Sequence, residues 1–217
     1  MNKTDPYTLL ASLGVSFRRE LDFSFCPEEC LVALIEEHNI VEDRRLLSLT
    51  ILAFEQIQDI LRPDLLTHLA ERLTPRSRSV LGGIIFRGHL NNPARWKGFH
   101  RYLIRHCGKQ IVIGTPRLLE VRGKDEHFLS FGVAITPVAR SDEKKLVQAR
   151  WLLKNNPWLT SRILFGPSSR ADIVTIRKKF YESNPNRIAK RFNCSVPSIT
   201  KIWNEIILAQ TLGLEVG

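Results

Sequence analysis

Four cations, Arg187, Lys190, Arg191 and Lys201, fall in one short stretch with three hydroxyls, Ser195, Ser198 and Thr200. The cations suit a polyanion, and the hydroxyls can donate or accept hydrogen bonds. Val196 and Pro197 add small apolar surface among them. This is a chemistry of recognition, and it works only if a scaffold presents the groups together. The sequence RIAKRFNCSVPSITKIWNEI, Arg187 to Ile206, reads as that scaffold: two short helices crossing at a fixed angle. Ala189 is the small residue that lets the second helix pack close, with Ile188 and Phe192 as apolar anchors. Asn193 suits a left-handed turn residue. Ser195 can cap the second helix, and Pro197 fits its first turn. Ile199 and Ile202 then face inward. A preceding helix is expected from Ser169 to Tyr181, with Ser169 as cap, Asp172 as its capping-box partner, and Ile173, Ile176 and Phe180 as the apolar stripe.

This stretch resembles the helix-turn-helix of bacterial transcriptional regulators. The resemblance implies that the second helix enters the major groove of DNA with its N-terminal, outward residues at base edges. By position these are Ser195, Val196, Pro197, Ser198, Thr200 and Lys201. Ser198 and Thr200 would bond to bases, and Val196 and Pro197 would touch a thymine methyl. Arg187, Lys190 and Arg191 become phosphate contacts, as does Lys201. No arginine or glutamine stands at the base-facing positions, so high sequence specificity is not expected. Leu212-Gly213-Leu214 reads as the end of the last helix and the first strand of a wing, either truncated or completed by a strand from elsewhere. The run Leu164-Phe165-Gly166-Pro167-Ser168-Ser169-Arg170-Ala171-Asp172-Ile173 resembles the opening of winged-helix proteins encoded beside nucleotidyltransferase-type toxin genes. Leu81-Gly82-Gly83 and the stretch around Arg95-Trp96 share that resemblance, which implies a regulator or an antitoxin-like protein.

The charge distribution points the same way. The chain of 217 residues carries a net charge of +10, divided unevenly. Met1 to Ala70 holds 6 basic and 12 acidic residues, whereas Glu71 to Gly217 holds 26 basic and 10 acidic. A strongly basic remainder behind an acidic front fits a polyanionic partner. Between Asn91 and Lys109, basic residues interleave with aromatics. A helix here would gather Trp96, Phe99, Leu103 and Ile104 on one stripe, with Arg95, Lys97, Arg101 and Arg105 available to phosphate.

The elements that must carry these groups are mostly helical. Leu31, Leu34, Ile35, His38 and Asn39 share a stripe behind Pro27, and a longer helix is expected from Asp43 to Leu61. Asp64 to Leu73 and Pro75 to Phe86 follow. Three strands, Gln110 to Gly114, Leu118 to Arg122 and His127 to Thr136, predict a small antiparallel sheet with a hairpin turn at Gly123 to Glu126. Ser141 to Lys154 reads as a helix, and Asn155-Asn156-Pro157 as a boundary. The expected fold is therefore mainly α with a small antiparallel sheet. A helical domain, a candidate dimerisation element, spans 1–90; a basic helix, the sheet and a linking helix span 91–156; a winged-helix-like domain spans 157–217.

Enzyme signatures are not expected. A nucleotidyltransferase loop needs a Gly-Ser pair and two nearby magnesium-binding carboxylates, but Pro167 follows Gly166 and Asp172 has no acidic neighbour at that spacing. Cys26 and Cys30 lack a second pair for a metal. His106-Cys107 lacks an orienting carboxylate, and adjacent helical residues point apart. No cofactor is expected. No apolar run is long enough for a membrane span, and the N-terminus lacks a signal-peptide layout, so a cytoplasmic protein is expected. The expected partners are double-stranded DNA and a second copy of the chain. The alternative is a non-enzymatic antitoxin or defence accessory whose basic middle docks on a neighbouring gene product or on RNA.

Overall fold

Proline sets most of the helix starts. Its fixed φ and missing N–H suit the first helical position, and among the described residues eight helices begin on one. Several of these prolines follow a capping side chain: Asp5, Asn92, Thr115, Asn156 and Asn184 each accept a hydrogen bond from a first-turn N–H. The computed structural model describes residues 4–19, 21–87, 90–108, 110–139, 143–180 and 182–212. They fold into two compact units, residues 1–149 and 150–217. The sequence had suggested boundaries after 90 and after 156. Among the described residues, no helix is long and apolar enough to cross a membrane.

The first unit contains α1 (Pro6–Ser12), α2 (Pro27–His38), α3 (Arg44–Ile57), α4 (Pro63–Ala70), α5 (Pro75–Arg87), α6 (Pro93–His106), β1 (Ile111–Val112), α7 (Pro116–Arg122), α8 (Glu126–Ser130) and β2 (Val133–Ala134). Its core forms around α3 and α5. On α3 every residue from Leu46 to Phe54 is buried, so this helix is enclosed on nearly all sides. On α5 the small pair Gly82-Gly83 lets aromatic rings lie against the backbone. A Cβ on Gly83 would stand 2.1 Å from Phe128, and one on Gly82 would stand 2.4 Å from Phe131. Gly83→Ala should therefore destabilise this unit. Overpacking costs about 1–3 kcal/mol, more than the roughly 1 kcal/mol that alanine gains in a helix. Gly98→Ala on α6, where a Cβ meets nothing within 4 Å, should instead raise stability. Denaturation midpoints of the two variants, moving in opposite directions, check the contrast.

The sheet differs from the expectation. β1 and β2 are parallel, pairing Ile111 with Val133 and Val112 with Ala134. The expected strands at 118–122 and 127–130 are helices instead. Thr115 and Pro116 start α7, Gly123 at φ 75° ends it, and Asp125 caps α8 by accepting from the Phe128 N–H. These signals override the β-branched and aromatic content, and the helices form the crossover that a parallel pair requires. The helix expected at 141–154 is also replaced. Residues 143–145 make one 3₁₀ turn, Leu146 forms an antiparallel bridge with Val15, and α9 (Ala149–Asn155) begins only afterwards; Ser141 lies outside the described residues.

The end of this unit straps back over its beginning. The Ser16 N–H donates to the Lys145 carbonyl, and the Val147 N–H donates to that of Gly14. Arg44 on α3 donates to the Pro137 carbonyl, Ser48 to that of Ala139 and Gln56 to that of Val147. Arg87 bridges Asp125, at 2.9 Å, and the Val138 carbonyl.

The second unit holds the rest of α9, then α10 (Pro157–Phe165), α11 (Ser169–Thr175), a π-helical turn (Ile176–Phe180), α12 (Pro185–Phe192) and α13 (Val196–Thr211). Its core is built on Trp158, which is fully buried, stacks on Phe180 at 5.4 Å and meets Phe192 at 5.6 Å. Asp172 has a different role from the one expected of it. α11 is capped at Ser168 without a side-chain bond, while the Asp172 carboxylate accepts from Arg162 Nε at 2.8 Å. Both side chains are wholly buried. Tyr181, the expected end of this helix, lies outside the described residues.

Candidate nucleic-acid interface

Three helices, α11, α12 and α13, pack on one another pairwise. The link between α12 and α13 follows the sequence expectation closely. Asn184 caps α12 by accepting from the Asn186 and Arg187 N–H groups. Ile188 and Phe192 are buried, and Ala189 is half-buried. Asn193 then takes the left-handed conformation, φ 50° and ψ 55°. The Cys194 N–H returns to the Ala189 carbonyl, so the turn closes onto the helix it leaves. Ser195 caps α13 by accepting from the Ser198 N–H at 3.2 Å. From there Ile199, Ile202 and Ile206 face the core.

The opposite face of α13 is open. Pro197, Ser198, Thr200 and Lys201 are exposed, as is Ser195 before them, and Val196 is half-buried. A groove of about 700 Å³ runs along Val196, Pro197, Thr200, Lys201, Asn204, Glu205 and Leu208. All six base-facing candidates thus sit at one helix end, five of them exposed. Gly213 and Leu214, where the wing strand is expected, lie outside the described residues.

No protein-family model, curated protein or solved structure matches this chain. What the interface can do is therefore read from its own side chains.

The hydroxyls are already engaged. Ser195 and Ser198 bond to each other at 2.7 Å, and Thr200 donates to the Val196 carbonyl at 3.2 Å. Among the cations, Arg187, Lys190 and Lys201 are exposed. Arg191 is half-buried and lies over the Trp158 ring at 5.5 Å, tying α12 to the core. Arg170 pairs with Glu205 at 2.5 Å, linking α11 to α13 and neutralising the groove's carboxylate.

In the first unit, α6 buries Trp96, Phe99 and Leu103, but Ile104 is 46% exposed and lies off the expected stripe. Lys97, Arg101 and Arg105 are exposed. Arg95 stands apart, because its guanidinium donates to the carbonyls of Asp59 and Leu61 and so clamps the loop between α3 and α4.

Sequence reasoning missed four things in the second unit. Asn204, Glu205 and Leu208 line the groove, more than two turns beyond the cap, where no motif rule extends. The Arg162–Asp172 pair had one available signal: Arg162 lies three and four residues after Leu159 and Trp158, inside an apolar stripe, where a cation needs a buried partner.

Proposed function

We propose that the second unit is a winged-helix-like DNA-binding module and that the chain is a non-enzymatic transcriptional regulator in the cytoplasm. The observation that carries this reading is the α12–α13 junction: a left-handed Asn193, a Ser195 cap and a reading helix whose outward face is open along its first turns. Exposed Arg187, Lys190 and Lys201 flank that face for phosphate, and Lys97, Arg101 and Arg105 of α6 supply further contacts. One such helix reads few base pairs, so two copies are expected on half-sites about 10 base pairs apart.

The test is a gel shift of the full chain against the DNA upstream of its own gene, at two salt concentrations. Binding should weaken as salt rises. Thr200→Ala with Lys201→Ala, both exposed positions, should weaken binding while leaving the thermal transition unchanged. A chain with no salt-dependent affinity for that DNA would sink the reading.

A second reading is favoured by exposed apolar side chains in the first unit. Val112, Leu118, Val121 and Leu129 are 38–77% exposed within one short segment. Gathered into one patch, such side chains would suit protein contact and fit an antitoxin-like accessory bound to a neighbouring gene product. Stoichiometric co-purification with that product, lost on Val121→Asp, would support it.

A further inference from the structure

The first two turns of the reading helix have polar residue types but an apolar outward chemistry. We propose that this face recognises thymine through its C5-methyl group, with Val196, Pro197 and the γ-methyl of Thr200 as the reading groups. The inference rests on the DNA-binding reading above and names what that site selects.

The argument begins with the hydroxyls. A serine or threonine reads a base edge only if its hydroxyl is turned towards the groove. Here Ser195 Oγ accepts from the Ser198 N–H and pairs with Ser198 Oγ at 2.7 Å. Thr200 Oγ1 donates back to the Val196 carbonyl one turn earlier. That bond spends the hydroxyl's one proton within the helix, and the γ-methyl is the apolar group of an exposed residue. Val196 and Pro197 line the same groove as Thr200. They follow the cap directly, where a reading helix meets base edges.

Of the groove's polar side chains, Asn204 lies beyond the first two turns of α13. The Glu205 carboxylate is held by Arg170 at 2.5 Å. Lys201 is a long, flexible point charge suited to phosphate, and the first two turns of α13 hold no arginine fork for guanine. In the major groove, the thymine C5-methyl is the base-edge feature matched by apolar contact. The second unit supplies the charge that brings this face to a duplex, with eleven basic and four acidic residues.

The test uses two duplex polymers that differ by that methyl alone, poly(dA-dT) and poly(dA-dU). Their phosphates, minor-groove edges and hydrogen-bonding groups are the same. The full chain should bind poly(dA-dT) more tightly by about fourfold for each methyl contacted. The double variant Pro197→Ala, Thr200→Ser keeps the hydroxyl and removes apolar surface. Its preference for poly(dA-dT) over poly(dA-dU) should shrink towards parity, and an unchanged thermal transition reports that it folds. Equal binding of the parent to both polymers overturns the methyl reading and leaves DNA binding standing. So does a preference that survives in the double variant, which would place the methyl contact elsewhere. Binding to neither polymer at low salt overturns both readings together.

Discussion

Asp172→Ala is expected to unfold the second unit and abolish DNA binding while leaving the first unit folded. The aspartate and Arg162 are each wholly buried and 2.8 Å apart, on α11 and α10. Removing the carboxylate leaves a guanidinium charge in a fully buried site without its acidic partner. Breaking such a pair costs about 3–5 kcal/mol. A unit of this size buries a modest share of its surface and holds little stability in reserve. α11 also packs against both α12 and α13, so its loss removes the support of the reading helix. Two thermal transitions should therefore become one, with the remaining one unshifted. The paired replacement Arg162→Met, Asp172→Leu removes both charges at once and should recover much of the loss. An Asp172→Ala chain that keeps both transitions would show that the pair carries no such weight.

The second large effect is the salt dependence of binding. Log affinity falls against log salt with a slope of about −0.9 per phosphate neutralised. If Arg187, Lys190 and Lys201 act together with Lys97, Arg101 and Arg105, the slope should be about −5. Affinity would then drop by about three powers of ten between about 50 and 200 mM salt. Replacing the three α6 cations with alanine should bring the slope to about −3, a drop of about forty-fold over the same range. Arg95 is left out of that set because the carbonyls of Asp59 and Leu61 already hold it. A slope unchanged by the triple replacement would confine phosphate contact to the second unit.

The two halves of the site differ in how far they can be read without coordinates. The α12–α13 junction depends on local rules, each satisfied within four residues. Asn193 tolerates the left-handed turn, Ser195 caps, and Ile199 and Ile202 repeat at helical spacing. The long stripe of α3 is legible for the same reason. The sheet is not, because each strand is two residues long and exists only through its partner some twenty residues away. The segment LLEVR looks like a strand by composition, but Thr115 and Pro116 before it decide for helix. Arg95 and Asp172 fail in another way. Each has a residue type that suits the expected role, phosphate contact or capping, and each is claimed by a tertiary partner instead. Composition cannot tell a cation facing solvent from one facing a carbonyl.

The strap that closes the first unit has a kinetic meaning. Its bonds join Ser16 to Lys145 and Gly14 to Val147, and they tie α3 to residues more than ninety positions later. Contacts so distant along the chain form slowly, since the ordering cost comes before the reward. A growing chain can assemble α2 to α5 early, but it cannot lock them until Val147 has been made. The second unit has no such wait: the ion pairs of Arg162 with Asp172 and of Arg170 with Glu205 close over at most thirty-five residues. The unit synthesised after the first is thus the one suited to fold faster, so both units should reach their final form at nearly the same moment.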